Sequence, residues 1–272
     1  MTLIDTHAHL EILENLVEVL DHARAAGVTS IVSVGTSVET SRKAIEIAEK
    51  YSSDDLKIYA TCGLHPFDSK AEIAEKGMAA CVGELSELAT TSKKIVAIGE
   101  TGLDFYGPGG KRAQTVEVER EFQFNLLRSQ LKIADSLNLP AVIHCRNAWE
   151  DIFEIISKFK IQSSKLRGVF HSFTGGAGEA KRVVELGFYV SFSGIVTFRN
   201  AAKVQEAAKI VPDDKILVET DSPFLTPDPF RGQKNESANV KITASFLSNL
   251  RKLSDDDFFT QTSKNAQKAF NL

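Results

Sequence analysis

The sequence predicts a single-domain α/β protein, a (β/α)8 barrel of the TIM type over residues 1–272. Three observations predict it. Short apolar segments of strand character alternate with segments of helical periodicity, a pattern that requires a parallel sheet. Eight such units fill the length of a barrel of roughly 250 residues. The first strand runs into His9-Leu10-Glu11 and not into a glycine-rich nucleotide turn, so a doubly wound open sheet is the poorer match.

The first strand covers residues 3–10, Leu-Ile-Asp-Thr-His-Ala-His-Leu. Side chains alternate along a strand, so His7 and His9 point the same way. A helix over 12–26 stops at Gly27, and residues 30–35 form the second strand. The second helix, 38–51, carries Ala44, Ile47 and Ala48 on one side. The third strand, 57–64, ends in Gly63-Leu64-His65-Pro66. A polar stretch leads to a helix near 79–91, and the fourth strand, 95–100, ends on Glu100. A glycine-rich loop, 107–112, follows. It is no P-loop, because Lys111 is not followed by Ser or Thr. In the long helix near 115–137, Phe124, Leu127, Leu131 and Ala134 recur at steps of three and four. The fifth strand, 140–145, brings His144, and a helix spans 148–159. The sixth strand, 167–171, ends on His171. A helix around 179–186, the seventh strand at 189–192 and a helix at 201–210 follow. The eighth strand, 215–221, ends in Glu219-Thr220-Asp221. A proline-rich loop leads to closing helices near 240–250 and 255–270.

Composition narrows the function classes. Thirty-six acidic against thirty-two basic residues leave a net charge of −4. No global basic field holds nucleic acid, so such a substrate needs local contacts or metal. Cys62, Cys81 and Cys145 are odd in number and far apart, which fits neither a disulfide framework nor a zinc knuckle. No apolar run reaches a membrane span, and the start lacks the marks of a signal peptide. A cytoplasmic protein without membrane partners is the expectation.

The polar residues fall where a barrel keeps its chemistry, at the C-terminal ends of the strands. His7, His9, His65, Glu100, His144, His171, Glu219 and Asp221 all stand there, and of the six histidines only His22 lies on a helix. Buried imidazoles are costly unless something binds them, and neutral imidazole is a good ligand for divalent metal. This set exceeds what one metal needs. Six ligands fit two metals that share a carboxylate, with Glu100 the best placed to bridge. Two such metals can bind both oxygens of a phosphoryl group and generate hydroxide near neutral pH.

These residues carry a resemblance. The chain resembles the TatD family of metal-dependent deoxyribonucleases, within the amidohydrolase-like barrels, over nearly its whole length. The motifs are IDTHAHL, CGLHP, AIGETGLDFY, LPAVIHCRNA, FHSFTGG and VETDSPFL, in the family's order. The resemblance implies hydrolysis of DNA phosphodiester bonds from a 3′ end, on single strands, with two divalent ions per chain, magnesium, manganese or zinc. By the family pattern His7, His9, Glu100 and Asp221 hold one metal. Glu100, His144 and His171 hold the other, and His65 faces the substrate phosphate. The chain departs from the family at 231–237, where Arg-Gly-Gln-Lys-Asn-Glu-Ser replaces a stretch close to Arg-Gly-Lys-Arg-Asn-Glu-Pro.

Several residues keep two readings. Asp5 either orients a ligand histidine or bonds backbone at the barrel floor. Asp104 contacts the site or caps a turn. Asp221 is a ligand and catalytic base, and Glu219 either a second catalytic base or a buried, bonded carboxylate. Arg146 grips a phosphate or forms a surface ion pair. Arg231 and Lys234 touch substrate or line a solvated loop. Phe105 and Tyr106 stack on a base or pack. Two other functions use the same barrel. One is hydrolysis of an ester, amide or lactone, an aminoacyl-tRNA ester included. The other is a metal-binding partner protein without turnover. Relatives of the first kind commonly bridge their metals with a modified lysine at strand four, where this chain has Glu100. The complete ligand set argues against the second.

Overall fold

The computed structural model describes residues 2–106 and 117–272. Eight strands lie in one parallel sheet in chain order. They are β1 (Leu3–Ala8), β2 (Val28–Ser33), β3 (Lys57–Cys62), β4 (Ile95–Asp104), β5 (Ala141–Arg146), β6 (Gly168–Phe170), β7 (Tyr189–Phe192) and β8 (Ile216–Val218). The sheet closes between β8 and β1. Asp221 N–H donates to His7 O (2.9 Å), and His9 N–H donates to Ser222 O (2.8 Å). The result is the (β/α)8 barrel that the alternation predicts.

The helices are α1 (Leu16–Ala26), α2 (Val38–Tyr51), α3 (Lys70–Lys76), α4 (Met78–Leu88), α5 (Glu117–Ser136), α6 (Trp149–Gln162), α7 (Ala177–Glu185), α8 (Ala202–Ile210), α9 (Val240–Arg251) and α10 (Asp255–Phe270). Their starts follow ordinary capping chemistry. Ser37 closes a capping box with Thr40 at α2, and the Ser254 hydroxyl accepts from Asp257 N–H at α10. Among the described residues no helix is long and apolar enough to cross a membrane.

Branched side chains from around the barrel, Ile4, Val32, Val96, Val142, Val169 and Leu217, pack with Ala266, Ala269 and Phe270 of α10. This filling is the usual one for such barrels, and it leaves the polar groups to the strands' C-terminal ends.

The structure departs from the sequence expectation in three places. The polar stretch before α4 contains α3, whose charged sequence buries one apolar residue, Ile73, and so shows no hydrophobic stripe. β8 stops at Val218, and Asp221, three residues on, takes a left-handed backbone (φ 59) that no strand continues. β4 runs to Asp104, so Asp104 belongs to a strand and not to a loop. The glycine-rich stretch 107–112 and the expected helix start at 115 lie outside the described residues.

The extension of β4 shapes the site. Pairing with β5 shifts register between Ile98 and Thr101, a bulge that contains Gly99 and Glu100. Bulges re-aim side chains beside active sites. Past the bulge Gly102 pairs with His144, where a Cβ would fall on the His144 carbonyl and φ is +155°. Only glycine fits there. Gly63 likewise packs on the backbone of Gly99 and Glu100, so the end of β3 can lie against the bulge.

Candidate metal centre

Glu100 stands in the middle of the strand ends, 4% exposed. Its two oxygens have different neighbours. Oε2 lies 3.3 Å from His7 Nε2 and 3.8 Å from His9 Nε2. Asp221 Oδ1 joins that side, 3.5 Å from His7 Nε2 and 3.3 Å from His9 Nε2. Oε1 lies 2.9 Å from both His144 Nδ1 and His171 Nε2, with His65 Nε2 further off at 3.7 Å. The His7 and His171 rings stack between the two sides, their centroids 4.0 Å apart.

The donor set fits a metal centre. Both ring nitrogens of buried His7 lack a hydrogen-bond partner among the described residues, as do His171 Nδ1 and His144 Nε2. An unpaired buried nitrogen costs free energy, and coordination at His7 Nε2, which faces Glu100 and Asp221, removes it. Three sets can each bring their donor atoms within 4.8 Å: His7 with His171 and Asp221, His7 with His9 and Glu100, and His65 with Glu100 and His144.

A layer of carboxylates stands behind the imidazoles. Glu11 Oε1 is 3.6 Å from His9 Nδ1, Asp68 Oδ2 is 3.5 Å from His65 Nδ1, and Asp104 Oδ2 is 3.4 Å from His144 Nε2. Glu219 Oε1 is 3.4 Å from His171 Nδ1. Such partners orient ligand histidines and raise their basicity. Glu11 and Asp68 escaped the sequence reading. Their signal is spacing, two residues after His9 and three after His65, and it is weak because acidic residues are common in loops.

The electrostatics match a cluster of opposed charges. Burial pushes the Glu100 carboxyl up, but His171 and His65 outweigh it and hold it well below the usual range. Burial depresses His7, and the neighbouring His171 depresses it further. His9 and His171 are depressed by burial as well, yet Asp221 and Glu11 raise the first, and Glu100 and Glu219 the second, well above the ordinary imidazole value. Burial raises Asp221, but His9 and His7 reverse the shift and keep it ionised.

The predicted site residues are thus gathered, with some exceptions. His7, His9, His65, Glu100, His144, His171 and Asp221 converge. Glu219 is fully buried behind His171 and accepts from Ser172 N–H (2.6 Å), the bonded arrangement of its two readings. Asp5 reaches no imidazole nitrogen. It accepts from Thr220 N–H (2.9 Å) and the Thr220 hydroxyl (2.7 Å), because a register shift between Asp5 and Ala8 breaks the alternation. Arg146 is exposed at the rim, its guanidinium over the Tyr106 ring (4.2 Å) and 3.9 Å from Asp104. Arg231 lies over Phe198 (4.0 Å) and Lys234 pairs with Glu14 (2.9 Å), so both make other contacts. Phe105 is buried against Phe124.

The departing segment 231–237 does hold one residue that matters. Asn235, 1% exposed, donates through Nδ2 to Thr220 O (3.0 Å) and Phe224 O (2.6 Å). It ties down the chain that presents Asp221. No local sequence pattern announces a bond that spans eleven to fifteen residues.

Above the cluster lies a cavity of about 780 Å³. His9, His65, Glu100 and Asp221 line it, with Arg146 and Phe224 at its edges. A barrel that gathers imidazoles and carboxylates around such a cavity has the form of a metal-dependent hydrolase. The family model described as TatD related DNase matches residues 4–271, and the chain belongs to that family. It is 37% identical over 273 residues to the uncharacterized metal-dependent hydrolase YabD of Bacillus subtilis, covering 99% of each chain. It is 33% identical to the uncharacterized metal-dependent hydrolase YcfH of Escherichia coli K12, covering 100% of this chain and 97% of the relative. Among solved structures, YjjV, a TatD homologue from Escherichia coli K12, superposes with a TM-score of 0.85 at 28% identity, over 99% and 98% of the two chains. The protein is a metal-dependent hydrolase of the TatD family.

Proposed function

We propose that the protein is a deoxyribonuclease that removes nucleotides from the 3′ end of single-stranded DNA with two divalent ions, magnesium, manganese or zinc. One observation carries this reading: Glu100 turns one oxygen toward His7 and His9, which also face Asp221, and the other toward His144 and His171. His7, His9, Glu100 and Asp221 would hold one ion. Glu100, His144 and His171 would hold the second. A bound pair neutralises a phosphodiester and lowers the pKa of water toward about 7.

The chain's own residues do the rest. Asp221, ionised and at the cavity wall, accepts the proton of the attacking water. His65, which lines the cavity, turns Nδ1 toward Asp68 and Nε2 toward the Glu100 side, where it would donate to a phosphate oxygen. Arg146, at the rim, meets the anionic chain locally, as the net charge of −4 requires. Asp104 and Glu219 hold the rings of His144 and His171 in place. The family description points the same way. Three unpaired buried cysteines suit the reducing cytoplasm, where we place the protein.

The test is a parallel assay of metal-defined protein on single-stranded DNA with free and blocked 3′ ends, on RNA, and on aminoacyl ester. Degradation of the free-ended DNA above the others supports the reading, and preferred ester cleavage overturns it. Elemental analysis should approach two metal equivalents per chain. A plateau at one removes the bridged pair.

A further inference from the structure

Phe224 is the one aromatic ring, apart from the histidines, among the described residues that line the cavity. It is 52% exposed, and Ile12, which lines the same cavity, is 48% exposed. Large apolar side chains exposed together at a polar site mark a contact surface. Yet Phe224 is not loose. Its N–H donates to Asp221 O (2.8 Å), and its carbonyl accepts from Asn235 Nδ2 (2.6 Å). Its ring stands edge-on to His9, centroids 5.8 Å apart at 69°. The ring is therefore built next to the metal-binding residues by the same four-residue turn that presents Asp221.

The other aromatics near the mouth are taken. Phe105 is buried, and Tyr106 is covered by the Arg146 guanidinium. Arg146 itself leaves β5, which lies opposite β1 in an eight-stranded barrel. The cavity thus has an apolar, aromatic edge on the side of β1 and β8, and on the side of β5 it carries the Arg146 guanidinium, 3.9 Å from Asp104 Oδ2. A nucleotide has the same two-part character, a flat apolar base one sugar away from an anionic phosphate.

We propose that Phe224 is the stacking platform for the base of the terminal nucleotide, while Arg146 faces the strand's phosphates across the cavity. The proposal rests on the nuclease reading and deepens it. Stacking tolerates every base, because each has a π-face, so the platform reads the presence of a base and not its identity. It would select nucleotide ends over esters that lack a ring to stack.

The experiment compares metal-loaded wild type with Phe224→Ala, Phe224→Leu and Phe224→Trp. The probes are single-stranded oligonucleotides with a phosphorothioate terminal linkage, to slow cleavage. Each ends in an ordinary nucleotide, in 2-aminopurine or in an abasic residue. Phe224→Leu keeps apolar cover on His9 but removes the aromatic face. Metal content and circular dichroism are checked in every variant. The alanine and leucine variants should bind the ordinary end about tenfold more weakly, within the range for one stacked base. They should lose the 2-aminopurine quench and bind the abasic end as wild type does. Phe224→Trp should keep both affinity and quench. Equal losses on ordinary and abasic ends, or full affinity in Phe224→Leu, overturn the platform while the nuclease reading stands. Wild type that neither binds nor cuts any oligonucleotide overturns both.

Discussion

The two oxygens of Glu100 serve different neighbours, and that asymmetry defines roles for the residues around it. Asp221 lies on the Oε2 side, within 3.5 Å of His7 and 3.3 Å of His9. Asp221→Asn keeps the shape but removes charge and basicity. Turnover on a short DNA strand at saturating manganese should fall by about two orders of magnitude or more, the usual effect of losing a general base. Circular dichroism should be unchanged, because the packed barrel interior is untouched. Near-normal turnover in a folded variant would remove Asp221 from the machinery. His65 lies on the Oε1 side, but at 3.7 Å against 2.9 Å for His144 and His171, so the nearer pair claims that oxygen. His65→Ala should therefore keep its metal and lose activity. Loss of metal in proportion to activity would make His65 a ligand. These residues were legible in sequence because strand ends and histidines coincide. Glu11 and Asp68 were not, since what makes them relevant is a facing nitrogen and not a pattern.

At the scale of elements, α5 does more than cover the barrel. Gln130 is fully buried in it. Its Oε1 accepts from Leu64 N–H (2.7 Å), and its Nε2 donates to Leu64 O (2.9 Å) and Thr101 Oγ1 (2.6 Å). One side chain thus replaces a missing strand partner and pins the end of β3, just before His65, to β4. Gln123, two helical turns earlier, does the same for Asp104, bonding both its N–H (2.9 Å) and its carbonyl (3.0 Å). The apolar period of this helix was readable in Phe124, Leu127, Leu131 and Ala134. Nothing in the local sequence marks the glutamines, because their partners lie on distant strands. The end of β4 was misread for a related reason. Gly99 and Gly102 resemble the end of a strand, whereas here they permit a bulge and a close approach. Gln130→Leu keeps the volume and strips the Leu64 backbone of its partners. Leaving buried backbone groups unpaired should cost about 1–3 kcal/mol. Thermal unfolding should show the loss, and activity should fall, since Gln130 holds both the end of β3 before His65 and Thr101 beside Glu100. An unchanged melting temperature would mean that water or a shifted backbone satisfies Leu64.

For the whole molecule, the seam between β1 and β8 is both the closure of the barrel and the support of the site. Asp5 sits in that seam, fully buried, accepting from Thr220 N–H and the Thr220 hydroxyl. Burial raises its carboxyl from the ordinary value of 3.8 to about 7, despite the hydrogen bonds from Thr220 and from the His7 N–H that favour the charge. The folded protein therefore binds a proton at Asp5 more tightly than the unfolded chain does. Its contribution is fully present below the unfolded value near 3.8 and is lost as pH rises through about 7. In metal-free protein, Asp5→Asn should remove that dependence. The Asn oxygen can still accept from Thr220 N–H, and the Thr220 hydroxyl can turn to accept from the new amide while pointing its proton at His7 O, 3.5 Å away. Measured against wild type, the variant's melting temperature should gain steadily between about pH 4 and about pH 8, and level off above that. The difference between the two proteins isolates Asp5 from the site histidines, which titrate in both. A difference that stays flat across this range would show that Asp5 is ionised in the folded state, with the hydrogen bonds of the seam stronger than the cost of its burial.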